Sequence, residues 1–155
     1  VPIVKNRPVV VMVVTLALGL AGIAFAQSPD YRIVESPFQE DLDYEIGTDL
    51  RPRVEIDGVR WTRFAIQPKE GKEIVADKAM PVTIELEFAN QTSKGARLLV
   101  IILFEDASGN PLDRIECKPV KAGGDRLKES IQKFKIEGNV LLRTRKVYLF
   151  CEVEF

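Results

Sequence analysis

From residue 52 to the end of the chain, apolar residues recur with a period of two, the spacing of a strand that buries one face. In VTIELEF the phase is clean: Val82, Ile84, Leu86 and Phe88 fall on one side, Thr83, Glu85 and Glu87 on the other. A helix, with 3.6 residues per turn, cannot gather that set into one stripe. KVYLFCEVEF repeats the pattern, with Val147, Leu149, Cys151, Val153 and Phe155 set against Tyr148, Phe150, Glu152 and Glu154. In RVEIDGVRWTRFAI two alternating runs flank Asp57-Gly58, a dipeptide suited to the two-residue hairpin turn. The step from Trp61 to Phe64 and Ile66 breaks the alternation and predicts a bulge near Thr62 or Arg63. RLLVIILFED is apolar on both faces, as befits a central strand with one side on the core and the other covered. LDRIECK adds a strand with Ile115 and Cys117 inward. KESIQKFKIE reads as a strand with Phe134 and Ile136 inward, or as a helix using Leu127, Ile131 and Phe134; the neighbouring strands favour the strand. The expected fold is all-β, an antiparallel β-sandwich of about seven strands spanning residues 52–155.

This pattern of short strands and turns resembles the immunoglobulin-like and fibronectin-III-like extracytoplasmic domains. The landmarks differ. Trp61 precedes both cysteines rather than lying between them, and Tyr148 stands three residues before Cys151, one off the tyrosine-corner spacing. The likeness is one of architecture, which does not fix function.

Ahead of the sandwich lies a different chemistry. Lys5 and Arg7 precede residues 9–26, an uncharged apolar run of 18 residues that would rise about 27 Å as a helix, just enough for a hydrocarbon core. The run ends in Ala24-Phe25-Ala26, so the same segment also reads as a signal peptide cleaved after Ala26. Gly19, Ala21, Gly22 and Ala24 would permit close helix approach in lipid, and residues 1–26 are expected to stay as a transmembrane anchor. The positive-inside tendency then places Lys5 and Arg7 in the cytoplasm and the domain outside, a single-pass protein of a bacterial inner membrane with a periplasmic domain.

Residues 27–51 are acidic and carry Pro29 and Pro37, with Tyr31, Phe38 and Tyr44 spaced among the carboxylates. No helical stripe runs through them. They read either as a solvated linker, with an edge strand at YRIV, or as an extended arm whose three aromatics anchor a partner.

Several function classes are excluded on composition. The chain has no histidine, the commonest metal ligand, general base and haem ligand, which argues against metal, haem and bacteriochlorophyll sites. Two well-separated cysteines cannot close a tetrahedral zinc site; they are candidates for a Cys117–Cys151 disulfide, with two buried free thiols as the alternative. A net charge of −1, with 22 basic and 23 acidic residues, supplies no field for nucleic acid. Asp106, Ser108, Asn110 and Asp113 sit in EDASGNPLD like a calcium loop, but Pro111 and Cys117 occupy the positions where an EF-hand loop needs Gly and Glu, so the segment reads as a turn. Asn90-Gln91-Thr92 fits a glycosylation sequon and also a polar turn, and the RTRK cluster, residues 143–146, reads as a solvated loop. No nucleophile elbow or phosphate loop appears, and no cofactor is expected.

The expectation is a non-catalytic accessory subunit: an anchor in the lipid bilayer through residues 9–26, an arm, and a sandwich packed on other subunits of a membrane complex. In layout it resembles the small single-helix subunits of bacterial energy-converting complexes, a photosynthetic reaction-centre and light-harvesting assembly first and a respiratory complex second. The alternatives are a secreted binding module and an enzyme of unrecognised type.

Overall fold

The computed structural model describes residues 30–155, and the anchor expected at 1–26 lies outside them. Eleven strands and one short helix follow in order: β1 Arg32–Val34, β2 Phe38–Asp43, β3 Asp49–Leu50, β4 Val54–Ile56, β5 Val59–Pro68, β6 Ala79–Asn90, β7 Ala96–Glu105, β8 Pro111–Glu116, β9 Val120–Ala122, β10 Leu127–Glu137, α1 Gly138–Arg143 and β11 Lys146–Glu154. They form two sheets. The first runs β1-β4-β5-β6-β10 with β3 also on β5; the second runs β2-β11-β7-β8 with β9 also on β7. The all-β sandwich expected from the sequence is therefore present, with eleven strands among the described residues in place of about seven. It departs from a purely antiparallel arrangement at one place, where β1 pairs parallel with β4.

The alternation predicted for β6 and β11 sets the core, and β7, apolar on both faces in the sequence, buries one of its two phases. Val82, Ile84, Leu86 and Phe88 of β6 are buried, as are Leu98, Val100, Ile102 and Phe104 of β7 and Val147, Leu149, Cys151 and Val153 of β11. Phe155, assigned inward by the same phase, is 58% exposed because the strand ends at Glu154. Ile136 is buried and Phe134 half-buried on β10, which is a strand and not a helix.

Two sequence signals are realised in backbone detail. Asp57 and Gly58 take φ values of 46° and 85°, the left-handed pair a type I′ hairpin between β4 and β5 requires. The register of β5 on β6 shifts between Trp61 and Arg63, the expected bulge. The shift gives the fully buried Trp61 a partner, since its indole N–H donates to the Arg63 carbonyl at 3.0 Å. A buried indole without such an acceptor would cost about 1–3 kcal/mol.

The boundary between arm and domain falls elsewhere than expected. β2 pairs with β11 through six residues, Phe38 and Tyr44 are buried, and β3 pairs with β5. Phe38 packs edge-on against Trp61 with ring centroids 6.2 Å apart, and Tyr44 likewise against Phe64 at 5.3 Å. These two aromatics are core residues of the sandwich and not anchors for a partner. Their phase was masked in the sequence because Glu40 interrupts the inward set of Phe38, Leu42 and Tyr44. Glu40 stays solvated at the sheet margin, paired with Arg32 of β1.

A helix, unforeseen in the sequence, bridges β10 and β11. Its first residue, Gly138, lies so close to the loop before β6 that an added Cβ would stand 1.9 Å from the Val75 carbonyl oxygen. Only a glycine allows that approach, which lets Gly138 and Asn139 donate to the Lys78 and Ala76 carbonyls at 2.8 Å each.

Candidate functional site

The outward phase of the second sheet carries the least ordinary surface of the described residues. β7 and β11 are its central strands, and their register sets Leu103 beside Tyr148 and Ile101 beside Phe150, with Leu99 beside Glu152. Leu99, Ile101, Leu103, Tyr148 and Phe150 are all half-buried by one another and by the flanking strands. The sequence marked the outer side of this strand as covered, yet nothing among the described residues lies across it. A solvated sheet face normally shows polar side chains at such positions.

Charge surrounds the apolar row. On the β2 side Gln39, Asp41 and Asp43 point outward, and Tyr148 donates a short hydrogen bond to the Gln39 side chain. On the β8 side Arg114 and Glu116 form a loose ion pair at 3.6 Å. At one end Arg97 pairs with Glu154 at 2.7 Å. At the other, Lys146 lies between Asp43 and Glu105 in register. Partial burial raises the pKa of the Glu105 carboxyl, and its hydrogen bond to Asp41 and the Asp41 charge push the same way against the opposing pull of Lys146. An apolar centre with a polar rim is the layout of protein-docking surfaces.

Tyr31, the third aromatic of the expected arm, sits elsewhere. It is half-buried on the first sheet under the Arg60 guanidinium, 4.7 Å from the ring centroid, and lines a cleft of about 180 Å³ with Arg51, Arg53, Thr62, Arg63 and Glu87. Arg63 is held there by Asp49 at 3.0 Å and Glu85 at 2.6 Å. That pairing lowers the Asp49 pKa and raises that of Arg63. Thr62 donates to the Glu87 carboxylate at 2.6 Å. Arg51 and Arg53 form no ion pair among the described residues, so the cleft keeps a positive lining. With Phe38 and Tyr44 buried in the core, the three aromatics do not converge on one site.

The remaining motifs have structural roles. Asn90 is 1% exposed, and its amide donates to the Lys94 and Ala122 carbonyls while its oxygen accepts from Thr92 N–H and Thr92 O–H. With both amide hydrogens committed inside the fold, the sequon is a turn brace. Asp106 accepts from the Ser108 and Asn110 backbone N–H at 2.9 Å each and from the Asn110 side chain, which closes a tight turn and lowers its pKa. Its carboxylate is thus occupied by the turn the sequence predicted. In RTRK, Thr144 is buried and Arg145 donates to the Leu142 and Thr144 carbonyls, so this segment caps the helix end. Among the described residues no group of three or more acidic, cysteine or histidine side chains is placed to hold a metal ion.

The disulfide is absent: Cys117 and Cys151 are both free and buried. Cys151 of β11 faces Val100 of β7, and Cys117, just past β8, donates its N–H to the Val100 carbonyl from the other side. The two cysteines are thus separated by a whole strand, about 9.6 Å at the ordinary inter-strand spacing, beyond the ~7 Å Cα separation a disulfide spans. Burial pushes the Cys117 thiol up to about 12 and raises Cys151 further.

No family model matches this chain, and no curated protein sequence does either. Among the described residues no helix is long and apolar enough to cross a membrane.

Proposed function

We propose that this chain is a non-catalytic accessory subunit of a bacterial membrane complex, tethered by residues 9–26 and docked on neighbouring subunits through the outer face of the β2-β11-β7-β8 sheet. The observation that carries the reading is the contiguous row Leu99, Ile101, Leu103, Tyr148 and Phe150, apolar and half-buried at the centre of a solvent-side sheet face. Tyr and Phe side chains offer large rigid contacts at little entropic cost, and the charged rim supplies orientation. The tether rests on the apolar run and the basic residues that precede it. The domain is immunoglobulin-like in this reading in its two-sheet architecture, and departs from that fold in setting β2, not its last strand, at the edge beside β11.

The test uses the full chain in its native membranes, as wild type and as the double variant Ile101→Lys, Phe150→Lys. The expected result is an intact mass that includes residues 1–26 and retention in the membrane pellet after alkaline carbonate washing. In mild detergent the wild type should run as a larger complex, which the double variant loses while keeping its melting temperature. A soluble mature chain beginning at Gln27 would instead make it a secreted binding module. An unaltered complex in the double variant would remove the sheet face from the reading.

A further inference from the structure

The other sheet ends in an edge that is long, straight and self-complementary. β10 pairs with β6 through all eleven of its residues with no register shift. Among the described residues no backbone hydrogen bond leaves its other side. Edges of this kind are usually shortened, bulged or covered, because their free N–H and C=O groups invite another strand. Here Leu127 and Ile131 project from the outer face of that edge, 64% and 58% exposed.

The charges on the same face are left unbalanced. Glu129 stands directly opposite Glu87 of β6, a like-charge neighbour that weakens a sheet. Glu129, Lys133 and Lys135 form no ion pair among the described residues.

We propose that β10 pairs edge to edge with β10 of a second copy of this chain, antiparallel about a two-fold axis through Ile131. In that register Ile131 meets Ile131 of the second copy, and Glu129 meets Lys133 twice. Leu127 lies along the aliphatic stem of Lys135. Each Glu129 thereby gains the cation it lacks beside Glu87. Moving the axis by one residue is worse in either direction: about Gln132 it still pairs Glu129 with Lys135 but sets Ile131 against Lys133 and Leu127 against Glu137, and about Ser130 it sets Ile131 against Glu129 and Leu127 against Lys133. The lysines that would repel a strand without acids accept this one, so the edge is selective for its own kind.

Cysteine placement tests the register directly, since native Cys117 and Cys151 are buried. The full-length Ile131→Cys variant, oxidised with copper phenanthroline, should give a covalent dimer on a non-reducing gel. The Lys135→Cys variant should not, because its two thiols would lie about 27 Å apart at 3.4 Å per residue. Native mass spectrometry of the full chain in detergent supplies the second readout. Lys133→Glu should weaken the dimer roughly tenfold, as two attractive cross-strand pairs become repulsive. Adding Glu129→Lys to the same chain should restore it, which separates pairing from misfolding. A monomeric Ile131→Cys variant, equal cross-linking at Lys135→Cys, or a dimer indifferent to Lys133→Glu would overturn the proposal.

Discussion

Tyr44 and Ile66 are tied by a 2.7 Å hydrogen bond from the Ile66 backbone N–H to the phenolic oxygen, while the phenol donates to the Thr48 carbonyl at 2.7 Å. One buried side chain thus satisfies the strand β5 and the turn that delivers β3 to it. The bracket locks this part of the expected arm into the sandwich.

Removing that hydroxyl leaves a buried N–H without its acceptor. Tyr44→Phe should therefore cost about 1–3 kcal/mol in urea unfolding while keeping the ring's contact with Phe64. Burial raises the Tyr44 pKa to about 12 from 10.0. A folded-state value above the unfolded one means this stability is complete below pH 10 and is lost as pH climbs through 12. Alkaline unfolding curves should show that loss in the wild type and less of it in Tyr44→Phe.

Phe38 separates a core residue from a docking anchor. Phe38→Ala should lower stability by about 3–5 kcal/mol, since it empties a site against Trp61. Thermal melting of the full chain reads this out. A melting temperature close to wild type would return Phe38 to the surface.

The buried thiols should be inert. Ellman's reagent should label neither Cys117 nor Cys151 in the native protein and both after denaturation, because burial holds the thiols protonated and shielded. Reducing agent should leave the melting temperature unchanged. Rapid labelling of either residue, or a shift on reduction, would contradict the strand placement.

Glu105 provides a pH-dependent test at the rim of the apolar row. Its pKa is raised in the folded protein, so its contribution favours the fold below the ordinary carboxylate range and diminishes as pH rises through the raised value. Glu105→Gln should accordingly raise the melting temperature at pH 7, with the gain shrinking toward pH 4. A gain that stays constant across that range would assign the effect to something other than the charge.

Local periodicity alone carried much of the architecture. The alternation in β6 and β11, the two-faced apolar run of β7, the Asp57-Gly58 turn and the bulge after Trp61 are all legible because each depends on neighbours within a few residues. Tertiary structure decided the rest. Phe38 and Tyr44 became core because β2 found the open edge of β11, more than 100 residues away in sequence, and no local pattern encodes that pairing. The cysteines stayed free because β7 runs between their strands, a matter of strand order and not of phase. The outward row of β7 and β11 shows in the sequence as apolar letters, but only the pairing of Leu103 with Tyr148 and Ile101 with Phe150 gathers them into one surface. Side-chain phase is a local property of the extended backbone, whereas strand order is chosen by the global burial of apolar area, which no single segment can express.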